Sequence, residues 1–154
     1  FLLLSLFFFS EVSFAKCKVL MPINSKDRKA VLFKINQHRK NNRRRLLRWN
    51  RKLERSAVLH AIDLCKRGRI SHHGSNGSSL RDRLRNVNYS YSVSAENIAA
   101  GHRSLRDVLK AWKTSSGHNA NLLNRKIVDF GMALVYDSNS KYKTFWVQNF
   151  GRRR

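Results

Sequence analysis

The sequence predicts an α/β fold, an α/β/α sandwich with a small, mainly antiparallel sheet between helical layers. Three observations carry this expectation. Apolar residues recur at helical spacing through most of the chain, in segments opened by Ser or Asn. Near the C-terminal end the period becomes two, over 130–136 and 145–150, on either side of a polar turn at 137–141. Helices first and an antiparallel strand pair later suit a layered domain.

The elements follow in order. Residues 16–24 read as a short extended lead, with Pro22 stopping an early helix. Ser25 is the expected N-cap of a first helix, with Asp27 in its first turn and its end near 40–42. Asn50 caps a second helix, whose stripe is Leu53, Ala57, Ala61, Leu64 and Cys65 and whose stop is Gly68. A polar loop over 71–77 precedes a short third helix capped by Ser79. Residues 86–103, rich in Ser, Asn and Tyr, read as mostly irregular. Ser104 caps a fourth helix that carries Leu105, Val108, Leu109 and Trp112 and breaks at Ser115-Ser116-Gly117. A turn or short helical piece over 118–124 leads into the hairpin. Trp112, Phe130, Trp146 and Phe150 read as core or cavity wall.

Residues 1–9 are almost wholly apolar, too few for a membrane-spanning helix, which needs about 20. They have the length of a signal-peptide core, with Ala15 as a cleavage point. Residues 1–15 are therefore expected to be a partial signal peptide, without its Met and basic start. Residues 16–27 form the lead and 152–154 a basic tail. No other stretch approaches membrane length, so the mature protein is expected outside the cell, or in a periplasm, without a transmembrane segment. Export would let Cys17 and Cys65, the only two cysteines, pair. The alternative leaves Cys65 buried on a helix face and Cys17 free.

The chain holds 32 Lys and Arg against 9 acidic residues, a net charge of +23. Such a surface attracts anionic polymers and lipid head groups. No zinc-finger spacing, P-loop or other specific nucleic-acid motif accompanies the charge.

Seven phrases stand in a fixed order: NQHRKNN (36–42), LERSAVLHAIDL (53–64), ISHHGSNGSSLRDRL (70–84), AENIAAG (95–101), WKTSSGHNANLLN (112–124), FGMALV (130–135) and FWVQNFG (145–151). Together they resemble the CAP superfamily of cysteine-rich secretory, antigen 5 and pathogenesis-related 1 proteins, in its secreted bacterial SCP-domain branch. The resemblance covers 28–151. It implies an α/β/α sandwich and a cavity where two His and one or two Glu converge. The matching positions here are His72, Glu96 and His118. The second Glu of the animal and plant branches falls near Ser115, so it is missing. Ala95 stands where Gly precedes the Glu, and Ser116 where the bacterial branch has Pro.

Two neutral imidazoles and a carboxylate can hold a divalent ion and leave room for water, and Zn²⁺ suits that donor set. The three residues are expected to come from loops and helix ends. The alternative is a hydrogen-bonded pocket in which Glu96 ties two loops together. Ser115, three residues before His118, would contact it if that stretch were helical. His60 reads as a satisfied core histidine, His73 as exposed, and His38-Arg39 as a packing or ion-pair phrase. The resemblance points to an extracellular binding or interaction module, with a small apolar or lipid ligand among its candidates. Two rivals are a metal-dependent, protease-like hydrolase using the same cavity, and a polyanion or anionic-surface binder acting through charge.

Overall fold

The computed structural model describes residues 17–22 and 24–154, so the leader expected over 1–15 lies outside them. The described elements are β1 (Lys18–Met21), α1 (Ser25–Asn41), β2 (Arg48–Trp49), α2 (Arg51–Arg67), α3 (Leu80–Asn86), β3 (Tyr91–Ala100), α4 (Leu105–Thr114), α5 (Ser116–Leu122), β4 (Asp129–Tyr136) and β5 (Thr144–Arg153). Among them no helix is long and apolar enough to cross a membrane.

The sheet order is β1-β4-β5-β3, antiparallel throughout, with the two-residue β2 running parallel to β4. Helices cover both faces, and the strand period of two sorts the core between them. On one face Ala133, Val135, Phe145, Val147 and Ile98 meet Ala57, Ala61, Leu64 and Cys65 of α2. On the other, Phe130, Met132, Leu134, Trp146 and Phe150 meet Val31 and Ile35 of α1, Val108, Leu109 and Trp112 of α4, and Leu122 of α5. This is the predicted α/β/α layering.

The caps explain where the helices start. Asn50, Ser79 and Ser104 each accept from backbone N–H groups of the first turn. The first helix differs by one residue from expectation: Asn24, not Ser25, is its cap, and Asp27 closes a reciprocal capping box with it. Gly68 ends α2 in the left-handed region, at φ 63°.

The larger correction is 86–103. Instead of irregular chain, it holds the ten-residue strand β3, paired along its length with β5. Polar side chains occur on both of its faces, which hides the alternation from a count of apolar residues. The strand still forms because Glu96 and Asn97, on opposite faces, each find buried partners. The basic tail also differs, since β5 continues through Arg153 and takes Arg152 and Arg153 into the sheet.

Cys17 and Cys65 form a disulfide, with Cα atoms 6.1 Å apart, joining the lead beside β1 to α2. It closes a span of 48 residues. Replacing both cysteines with Ser is expected to cost about 3 kcal/mol, chiefly by freeing the unfolded chain. A thermal melt unmoved by those substitutions would contradict this.

Candidate functional site

Glu96 sits on β3 opposite Asn149 of β5, so it is a strand residue and not the loop residue expected. Strand alternation turns it, like Ile98, toward α2. Its side chain is buried, and both of its oxygens are engaged. Oε1 accepts from His72 Nδ1 at 2.9 Å, and Oε2 accepts from Arg83 Nη2 at 2.7 Å. The Asn149 amide is satisfied when its nitrogen donates to Oε2 at 3.1 Å and its oxygen accepts from Ser56 Oγ and Ala57 N. His60 Nε2 lies 3.9 Å from Oε1, but its hydrogen goes to the Ser71 carbonyl at 2.9 Å.

Arg83 is the hub's second half. Its Nη1 donates to the carbonyls of His72 and Ser78, each at 3.0 Å, so one guanidinium fixes both the loop and the carboxylate. Sequence reasoning passed over Arg83, yet a signal existed. Leu80, Arg83, Leu84 and Val87 follow helical spacing, which places Arg83 on the buried side of α3. Asn149 carried no comparable signal.

His118 is placed differently. It belongs to α5, on the opposite face of the sheet from α2, beside the edge strand β3. Asn97, facing that side, donates to the His118 carbonyl at 3.2 Å and accepts from Asn121 at 2.9 Å. Asn121 also donates to the Glu96 carbonyl. The far end of α5 is tied to α1: His38 Nε2 lies 2.9 Å from Asn119 Oδ1, and the buried Arg39 donates to the carbonyls of Arg45, Leu122 and Asn124. Burial lowers the Arg39 pKa to about 10. The phrase His38-Arg39 therefore packs and positions; among the described residues it forms no ion pair.

The expected trio is thus brought together only in part. His72 bonds Glu96 directly, while His118 reaches the strand through its backbone. Among the described residues the donor atoms of His72, Glu96 and His118 do not gather within 4.8 Å as a ligand set of three. The one group among them that does is Cys17, Cys65 and Asp137, whose sulfurs are joined to each other. Ser115 Oγ lies 2.9 Å from His118 Nδ1 because Ser115 caps α5 and Gly117 lies within that helix instead of interrupting it. No hydrogen bond links that pair to the Glu96 carboxylate among the described residues, so the dyad lacks an orienting acid. His73 is exposed, and His60 is buried in the core, as their surroundings in the sequence suggested.

The three site histidines feel different fields. The hydrogen bond to Glu96 raises the His72 pKa against the opposing effect of burial. Burial lowers His60, outweighing the attraction of Glu96. Burial, then the nearby His72, lowers His118. A proton-NMR titration is expected to show His72 titrating above the ordinary value of about 6.5, and His60 and His118 below it. The linkage signs follow. The stabilisation from His72 is full below the unfolded value and fades as pH rises through its raised folded value. His60 and His118 act the other way, favouring the fold above the unfolded value and losing that contribution as pH falls through their lowered folded values. A common midpoint for all three would refute this picture.

The comparisons with known proteins agree with this architecture. The model of the cysteine-rich secretory protein family, CAP, matches residues 32–150. The uncharacterized protein YkwD of Bacillus subtilis is 30% identical over 122 residues, covering 79% of this chain and 46% of that protein. The chain therefore spans less than half the length of that relative. An outer surface protein of Borrelia burgdorferi has a similar solved structure, at TM-score 0.76 and 25% identity, covering 84% of this chain and 95% of the other. An extracellular protein containing an SCP domain from Bacillus anthracis matches at TM-score 0.71 and 27% identity, over 86% of this chain and 45% of the other. With the family model covering most of its length and its sheet and helices in the same arrangement, this chain belongs to the cysteine-rich secretory protein, or CAP, family.

Proposed function

We propose that the protein works outside the cell as a binding module, not as a hydrolase. The observation that carries this is the occupancy of Glu96: His72, Arg83 and Asn149 take up both carboxylate oxygens. Glu96 is also buried, at 7% exposure, and a general base must come within hydrogen-bond reach of the proton it removes. Ser115, at the place of the second acid, adds no carboxylate. The extracellular and outer-surface descriptions of the two solved relatives support the location. The test is peptide hydrolysis by the exported protein with and without added Zn²⁺. The expected result is turnover no greater than that of the His72→Ala/His118→Ala double variant. Activity that the double variant loses would establish the hydrolase instead.

A second reading, cation binding, has its own supporting observation. His72 spends Nδ1 on Glu96, which leaves Nε2 with a lone pair. A carboxylate behind a histidine is the usual support for a metal-binding ring. His118 Nδ1 faces the Ser115 hydroxyl, which can accept as well as donate, so its Nε2 is free in the matching tautomer. The donors thus fit a Zn²⁺ held by the two imidazoles, with Glu96 and Ser115 orienting them and not ligating. Such an ion would lower the pKa of a bound water. Calorimetric titration with Zn²⁺ at neutral pH is expected to give heat that both single alanine variants abolish. No heat from the unaltered protein would end this reading.

A further inference from the structure

The strongest unassigned feature lies away from Glu96. Two clefts, of about 620 and 330 Å³, meet at the bend between α3 and β3. They share Asn88, Tyr89, Ser90 and Arg154, and so lie side by side as two lobes of one basic surface. Six cations line it: Arg81 and Arg85 in one lobe, Arg51, Lys52 and Arg153 in the other, and Arg154 between them. Among the described residues no carboxylate lines either lobe. All six cations are exposed.

Local structure holds these charges in place. Arg81 and Arg85 are one helical turn apart on α3 and share a face. Lys52 Nζ donates to the Asn88 carbonyl at 2.8 Å, Arg154 Nε donates to the Tyr91 carbonyl at 3.0 Å, and Arg153 is anchored on the buried Asp129 at 3.0 Å. Asn88 takes a positive φ of 56° to make the bend, a conformation asparagine tolerates better than most residues. Arg51 and Lys52 occupy the first turn of α2, where the helix dipole favours acidic residues. Arg51 meets Glu54 of the same turn at 3.3 Å, whereas Lys52 works against the dipole and turns instead to the Asn88 carbonyl.

We propose that this surface binds a linear phosphodiester polyanion through its backbone. Five of the six cations are arginines, whose planar forks match phosphate oxygens in pairs. Two adjacent basic lobes suit an extended chain with repeated charges better than a single anion. Single-stranded nucleic acid is disfavoured because its binding sites offer successive aromatic platforms. Here Tyr89 is buried, and Tyr91 is stacked on it with ring centroids 6.4 Å apart. The surface shares no lining residue with the Glu96 cluster, so its test leaves the reading of that cluster untouched.

The test uses oligo(glycerol phosphate) of about ten units as probe, with an oligothymidylate of equal charge beside it. The variants are Arg81→Gln/Arg85→Gln/Arg154→Gln and a control of equal net charge, Lys26→Gln/Lys29→Gln/Lys34→Gln on the exposed side of α1. Thermal melts establish that both variants fold. The cleft variant is expected to bind the glycerol phosphate chain about tenfold or more weakly, with a salt slope smaller by roughly 2, from about 0.7 for each phosphate no longer neutralised. The control is expected to change affinity less than about threefold. Equal losses in both variants would overturn the proposal in favour of bulk charge. Tighter binding of oligothymidylate, lost in Tyr91→Ala, would overturn it in favour of a nucleic-acid site. No measurable binding of either polymer would also refute it.

Discussion

Replacing Glu96 with Gln is expected to destabilise the protein by about 4 kcal/mol, the scale for breaking one partner of a buried ion pair. Glu96 is 7% exposed and Arg83 8% exposed, so water cannot take over the lost interaction. The neutral amide keeps the shape of the carboxylate but presents an N–H₂ group to one of its donors. It also leaves the Arg83 guanidinium buried with a charge and no counter-charge. Arg83 holds the His72 and Ser78 carbonyls as well, so the loop over 71–78 should loosen along with it. For a domain of this size the cost corresponds to a fall in melting temperature of roughly 10 °C. A calorimetric scan measures it. A melting temperature within a degree or two of the parent would mean that Glu96 is held for chemistry and not for structure.

The second large effect is expected at Gly131. It lies on β4 opposite Asn149, on the face covered by α2. A β-carbon built there would fall against the α2 backbone, at Glu54 N and 2.5 Å from the carbonyl carbon of Leu53. The sheet and the first turn of α2 touch backbone to backbone, and only glycine permits it. Gly131→Ala must therefore lift α2 or bend β4. Overpacking costs about 1–3 kcal/mol where side chains can adjust; with a helix backbone as the obstacle, about 4 kcal/mol is expected. The damage should reach the site, because α2 carries Ser56 and His60 beside Glu96. Chemical denaturation of the alanine variant checks this, and an unchanged midpoint would contradict the close approach.

Much of this fold was legible in the sequence, for identifiable reasons. Helix starts at Asn50, Ser79 and Ser104 were readable because a side-chain oxygen at a cap answers a local need of the backbone. The hairpin of β4 and β5 was readable because a period of two, largely apolar, runs on either side of a polar turn. Strand β3 was not, because its stability depends on partners distant in sequence: Asn149 and Arg83 for Glu96, Gln148 and Asn121 for Asn97. The site was legible by a different route. No spacing links His72, Glu96 and His118; the family resemblance supplied them as a set. The structure joins His72 to Glu96 directly, while His118, carried by α5, lies near His72 but meets β3 only through its backbone. Arg83 changes the meaning of the set most, since it supplies the charge that Glu96 was expected to find in a metal.

Glu96 and Arg83 act as one structural unit, and the stability of the site depends on that pairing. A double-mutant cycle with Glu96→Gln, Arg83→Met and the two combined measures it directly. The prediction is a coupling of about 3 kcal/mol, with the double variant more stable than the sum of the single losses implies, because it leaves no unpaired buried charge. Losses that simply add would show two independent residues and contradict the pairing.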